Sequence, residues 1–344
     1  MKKNPSKKQA CMLIVSLFII LLLTMVVSLT IGRHPVSIPD IVRVLSANPF
    51  GAVFDFTDTH KVVIEIVRLP RILMVVLCGM GLALSGAAMQ GIFRNPLVGP
   101  EIVGVSSGAS FGGVLAIMLS LSPALTIVLS CCFGFAALAG AFILARASGR
   151  SGTVGLVLAG VIVGAFFSAL VGIAQYVADP LSKLPSIVYW LMGSFAGATY
   201  DKLFLVALVT LVAGSILLML RWRINLLSLG EADAKVLGVN VYWLRWGIVA
   251  LVSVIVASQV SVSGGIGWVG LIVPHLARIM IGPDHVKLMP ASAFLGGIFL
   301  LVVDDIARTM GNQEIPVGLL TAMIGTPVFA VLFWKTQKNG WHEE

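Results

Sequence analysis

The chain has 344 residues, of which 58% are hydrophobic and 11% charged, with a net charge of +8 and a mean hydropathy of +1.02. That composition excludes a soluble globular domain and places the chain in the membrane class. The basic balance is no nucleic-acid footprint, because the cations lie between apolar runs and not on one soluble face.

A bilayer-crossing helix needs roughly 20 apolar residues. Lys2, Lys3, Lys7 and Lys8 precede a first apolar run from Cys11 to Ile31. This run is long enough to span and shows no small-x-small cleavage site, so it reads as an uncleaved helix with its basic end in the cytoplasm. Further spans fall at 68–92, 98–119, 124–145, 153–177, 200–220, 244–262, 267–281, 288–307 and 316–334. The expected fold is an all-α polytopic membrane protein with ten transmembrane helices. An even number returns both termini to one side. This drawing puts 15 of the Lys and Arg residues inside and 8 outside, which agrees with cytoplasmic termini.

The segment 32–67 lies outside and contains Pro35, Pro39 and Pro49. Arg68-Leu69-Pro70-Arg71 follows at the outer mouth of the second span, with Pro70 suited to a first helical turn. Two fixed cations there suit an acidic partner surface or an anionic substrate; interfacial snorkelling is the bland alternative. Arg308 falls at the same outer level, and three arginines on one rim strengthen the partner reading. Asp304 or Asp305 can pair with Arg308 one turn away.

The four cysteines, Cys11, Cys78, Cys131 and Cys132, sit in apolar runs without CxxC spacing and read as packing residues. Gly108/Gly112, Gly160/Gly164 and Gly193/Gly197 have GxxxG spacing and read as helix-packing seams.

The inner loop 221–243 carries Leu229, Ala232, Val236 and Val239 at helical spacing. Glu231 and Lys235 stand four apart and can pair, and Gly238 is a stop signal. The apolar face of this short helix suits either a protein partner or the lipid interface. Gly265-Ile266-Gly267-Trp268-Val269-Gly270 matches a dinucleotide fingerprint in form only. It opens an apolar helix and follows no strand, so the glycines read as an irregular turn at a membrane boundary. No Walker A loop occurs, so any ATP hydrolysis belongs to another chain. His275 and His285 have no second ligand at metal spacing. No midplane acid marks an ion-coupled secondary transporter, and no nucleophile–base pair marks an enzyme.

Several of these stretches resemble the FecCD-type permeases of iron-siderophore, haem and vitamin B12 importers. They are Arg68-Leu-Pro-Arg71, Ser85-Gly-Ala-Ala-Met-Gln90, Arg94-Asn-Pro-Leu97, Gly104-Val-Ser-Ser-Gly-Ala109, Leu158-Ala-Gly160, Gly230-Glu-Ala232, Leu237-Gly238, Gly267 through Pro274-His275 to Arg278, and Glu314-Ile-Pro-Val-Gly318. They run in order from about Arg68 to Phe333. The resemblance implies one permease domain over 1–344, with a cytoplasmic segment 1–10, a periplasmic segment 32–67 and a cytoplasmic coupling loop 221–243. It implies a bacterial inner-membrane subunit that pairs with a second permease subunit, in a homodimer or close heterodimer. Two ATPase subunits, a substrate-binding protein and membrane lipid are the other implied partners. Arg68, Arg71 and Arg308 fall where such permeases dock the binding protein. Leu229, Gly230, Glu231, Ala232, Lys235, Leu237 and Gly238 fall on the segment that couples to the ATPase. Asn95, Leu97 and Thr153 fall where the cytoplasmic gate narrows. No cofactor is implied on this chain; ATP is used by the partner. A second acid beside Asp304 departs from the family pattern and weakens Arg308 as a docking cation. Ferric siderophore is the first expected cargo, ahead of haem, cobalamin and molybdate.

Overall fold

In lipid every backbone donor and acceptor must be satisfied within the chain, and a helix does this segment by segment. The computed structural model follows that rule. It describes residues 6–32, 34, 36–50, 58–147, 153–311 and 313–338; Lys2, Lys3, Arg33, Pro35 and Arg150 lie outside the described residues.

Helix α1 (Lys7–Thr30) starts four residues before the expected span. Ser6 and Gln9 close a reciprocal capping box that satisfies two free donors of its first turn. The expected outer segment holds α2 (Ile38–Phe50) and α3 (Asp58–Lys61). A π-helical stretch, Val62–Arg68, then runs straight into α4 (Leu69–Phe93). Next come α5 (Val105–Met118), α6 (Pro123–Ala147), α7 (Thr153–Val177) and the short α8 (Leu184–Leu191). Then follow α9 (Tyr200–Leu229), α10 (Glu231–Val236), α11 (Val241–Ser263), α12 (Val269–Ile281), α13 (His285–Thr309) and α14 (Val317–Lys338). Among the described residues, seven helices are long and apolar enough to cross a membrane, and three shorter apolar helices lie where the remaining spans are expected.

Helix α4 is the axis of the bundle. It packs against α13, α9, α12 and α11, and 83% of its most apolar window is buried, against 22% in α6 and α7. Glycine permits this crowding. A Cβ on Gly79 would lie 2.3 Å from the Gly296 carbonyl, and one on Gly86 would lie 1.7 Å from that of Gly270. Neither contact follows from GxxxG spacing. Gly108 and Gly112 do form a seam, against the α6 backbone, and Gly160 packs on Ile102. Gly193/Gly197 is no helix seam: both follow α8 in a turn, with Gly193 at φ +72°. The glycine-rich stretch 264–268 is irregular, as expected, and Trp268 enters α12 at φ +71°.

Candidate functional sites at the two ends of the bundle

Arg68, Arg71 and Arg308 do converge at one end, but not as free rim cations. Each is about 5% exposed or less. Arg68, the last residue of the π-helical stretch, donates to the carbonyls of Leu29 and His34. Arg71 donates Nη2 to Asp304 Oδ1 at 2.9 Å and Nε to Asp304 Oδ2 at 3.0 Å, and its Nη1 reaches Glu314 at 2.9 Å. Arg308 pairs with Asp305 and donates to the Ser28 carbonyl at 2.8 Å. The Ser28 hydroxyl in turn donates to Asp305 at 2.6 Å. Two of the guanidiniums thus pair with three carboxylates, and the third, Arg68, is held by backbone carbonyls. The physical reason is desolvation: a buried charge persists only if it is paired and hydrogen-bonded. Solvent reaches this cluster best at Glu314, whose side chain is 26% exposed. The paired acids were both legible as partners for Arg308. The structure divides them, giving Asp304 to Arg71 and Asp305 to Arg308.

The opposite end holds α10 and the end of α4. Helix α9 continues past the expected end at 220 to Leu229, and Gly230 (φ +143°) breaks it. Leu229 therefore does not share a helix with Ala232 and Val236; α10 is only six residues long. Gly238 (φ +80°) follows its end, as the stop signal predicted. Ala234 is buried, whereas Leu229, Val236 and Leu237 are 65%, 87% and 57% exposed. Ala232 and Lys235 are also exposed. Glu231 pairs with the buried Arg245 of α11 rather than with Lys235. A guanidinium fixed by packing loses less freedom in pairing than an exposed lysine does. The hydrogen bond from Arg245 holds the Glu231 carboxyl below the usual glutamate range; nearby Lys235 and Arg94 act in the same direction.

Arg94 closes α4 in a left-handed conformation (φ 51°). With Thr153, Leu227, Glu231 and Arg245 it lines a recess of ≈ 360 Å³. Thr153, at the start of α7, is thereby brought beside Glu231 of α10. Asn95 accepts a 2.9 Å bond from the Leu97 N–H and shapes the turn after α4, leaving Leu97 47% exposed. Arg245, Arg94, Glu314 and Ser28 carry these sites without having been singled out from the sequence. Arg94 and Glu314 stood inside recognised motifs. Ser28, within the first apolar run, offered no signal. Among the described residues no group of three or more His, Cys, Asp or Glu could hold a metal.

Three comparisons with known proteins bear on this architecture. A profile of the FecCD transport family matches residues 20–335. The molybdate import system permease MolB of Haemophilus influenzae is 46% identical over 327 residues, 95% of this chain and 96% of that protein. A Helicobacter pylori protein named as a probable iron chelatin transport system permease is 43% identical over 80% of this chain and 84% of its own length. A solved structure described as an inward-facing metal-chelate type ABC transporter superposes with a TM-score of 0.84 at 45% identity. That match covers 94% of this chain and 98% of the other.

Proposed function

The chain belongs to the FecCD transport family, and from that premise we propose the following assembly and cycle. It is the permease of an ABC importer for a metal chelate or a related substrate, seated in a bacterial inner membrane with both termini in the cytoplasm. A second permease subunit completes the path, two ATPase subunits hydrolyse ATP, and a binding protein delivers cargo. This chain binds no cofactor of its own. The carrying observation is the match over nearly the whole chain, at 46% identity, to a permease of such a system.

The exposed Leu229, Val236 and Leu237 are the surface offered to an ATPase subunit. Closure of the ATPase pair pushes α10, and the Glu231–Arg245 bridge passes that displacement to α11. Arg94, beside Gly230, places the end of the central α4 at the same joint. Asn95, Leu97 and Thr153 then narrow or widen the inner gate. At the outer end, docking through Arg68, Arg71 or Arg308 requires exchange of the chain's own partners. Arg71–Glu314 is the pair an incoming carboxylate reaches first.

For cargo we place molybdate ahead of ferric siderophore. The relative named for molybdate matches 95% of the chain, against 80% for the one named for iron chelatin. Uptake of labelled molybdate, ferric siderophores, haem and cobalamin, in cells with and without the gene, tests this. Loss of molybdate uptake alone supports the assignment. Loss of a siderophore alone returns the cargo to the metal chelates, and no loss in a strain lacking paralogous importers rejects the importer reading.

A further inference from the structure

Helices α9 and α11, both long and apolar enough to cross a membrane and joined through α10, line a cleft of ≈ 920 Å³. Its walls run from Ile216 to Leu226 on α9 and from Trp243 to Val254 on α11, and the turn from Leu237 to Asn240 after α10 lines its end. At 1.5 Å per residue the α11 wall is about 16 Å long, roughly half of a hydrocarbon core. The interior is apolar. Gly247 and Ala250 form the low point of the α11 wall, and a Cβ built on Gly247 meets nothing within 4 Å. At the α10 end Trp222 and Trp243 are 61% and 69% exposed. Arg223, exposed at the same mouth, has no ion pair or hydrogen-bond partner among the described residues.

These features fit one kind of occupant. An apolar cleft between two helices that cross a membrane meets lipid tails, which are as apolar as leucine. Trp at its mouth marks the headgroup level. An unpaired guanidinium there attracts phosphate through charge-assisted hydrogen bonds and favours a headgroup with net negative charge. We propose that this cleft is a binding site for one anionic phospholipid. An acyl chain lies along Gly247 and Ala250, and the phosphate sits at Arg223 between Trp222 and Trp243. The lipid wedges the two helices that carry α10, so it stiffens the joint on which an ATPase would push. The site requires only that the bundle spans a membrane, and it stands whichever cargo is carried.

The test is native mass spectrometry of the full-length permease, titrated with dioleoyl phosphatidylglycerol or with dioleoyl phosphatidylcholine. The first phosphatidylglycerol is expected to bind about tenfold more tightly than phosphatidylcholine. Arg223→Gln should reduce that preference to about unity, and Gly247→Leu should weaken both lipids by about tenfold. The added Leu side chain enters open space, so an unchanged thermal melt verifies that the variant is folded. Wild-type binding by both variants overturns the proposal. Expulsion of the tight lipid on assembly with the ATPase subunits also overturns it, and makes the cleft a protein-docking surface.

Discussion

Arg71 and Asp304 face each other across the seam between α4 and α13 in a forked pair, Nη2–Oδ1 at 2.9 Å and Nε–Oδ2 at 3.0 Å, with side chains 6% and 0% exposed. A pair so deeply buried is weak evidence for net stabilisation, yet breaking it by removing one partner is costly. Asp304→Ala should therefore lower stability by about 3–5 kcal/mol, read as unfolding in detergent. Replacing both residues together, Arg71→Met with Asp304→Leu, should recover much of that loss. Additive losses in the double variant would show that the two do not act as a pair.

Glu314 competes with any external carboxylate for Arg71 Nη1. Glu314→Gln removes that competitor but keeps the side-chain volume. The affinity of the purified permease for the proposed binding protein should rise several-fold, and Arg71→Gln should abolish the gain. An unchanged or weakened affinity for Glu314→Gln would place docking elsewhere on the outer face.

Glu231 and Arg245 form the bridge between α10 and α11. Glu231→Arg should uncouple ATP hydrolysis from transport, and adding Arg245→Glu should restore part of the coupling. Reconstituted vesicles that report both rates decide this; normal coupling in the single variant would remove the bridge from the mechanism.

The same pair has a pH signature. The hydrogen bond from Arg245 depresses the folded-state pKa of Glu231, so the bridge contributes fully above the unfolded glutamate value, about 4.3, and is lost as pH falls through the folded one. The melting-temperature difference between wild type and Glu231→Gln should stay constant from neutral pH down to about 4.5 and close below that. A difference that vanished near neutrality would contradict the depressed pKa.

Val236 is 87% exposed on a six-residue helix. Val236→Glu should leave the melt of the permease unchanged while preventing co-purification of the ATPase subunit. Normal assembly would show that this face meets something else.

The ten apolar segments were legible because transfer into lipid is decided by windows of about 20 residues, and α4, α6, α7 and α13 fall close to where their runs predict. Helix ends were less legible. Arg221, Trp222 and Arg223 looked like the start of a loop, yet α9 continues through them to Leu229, because an amphipathic turn at the interface costs little. The motif Arg68-Leu-Pro-Arg71 located the outer cluster correctly but not its exposure. Exposure depends on which carboxylates fold over the arginines, and Glu314 is 243 residues away from Arg71.

The sequence by itself therefore determined the solvent, the all-helical apolar architecture and the family, since hydropathy and ordered motifs are properties of short stretches. Only the tertiary structure decided which acid neutralises which arginine, that Glu231 turns to Arg245 and away from Lys235, and that a cleft lies between α9 and α11 at Gly247. Those outcomes depend on distances between side chains far apart in the chain. Desolvation then selects the partner that is already fixed in place.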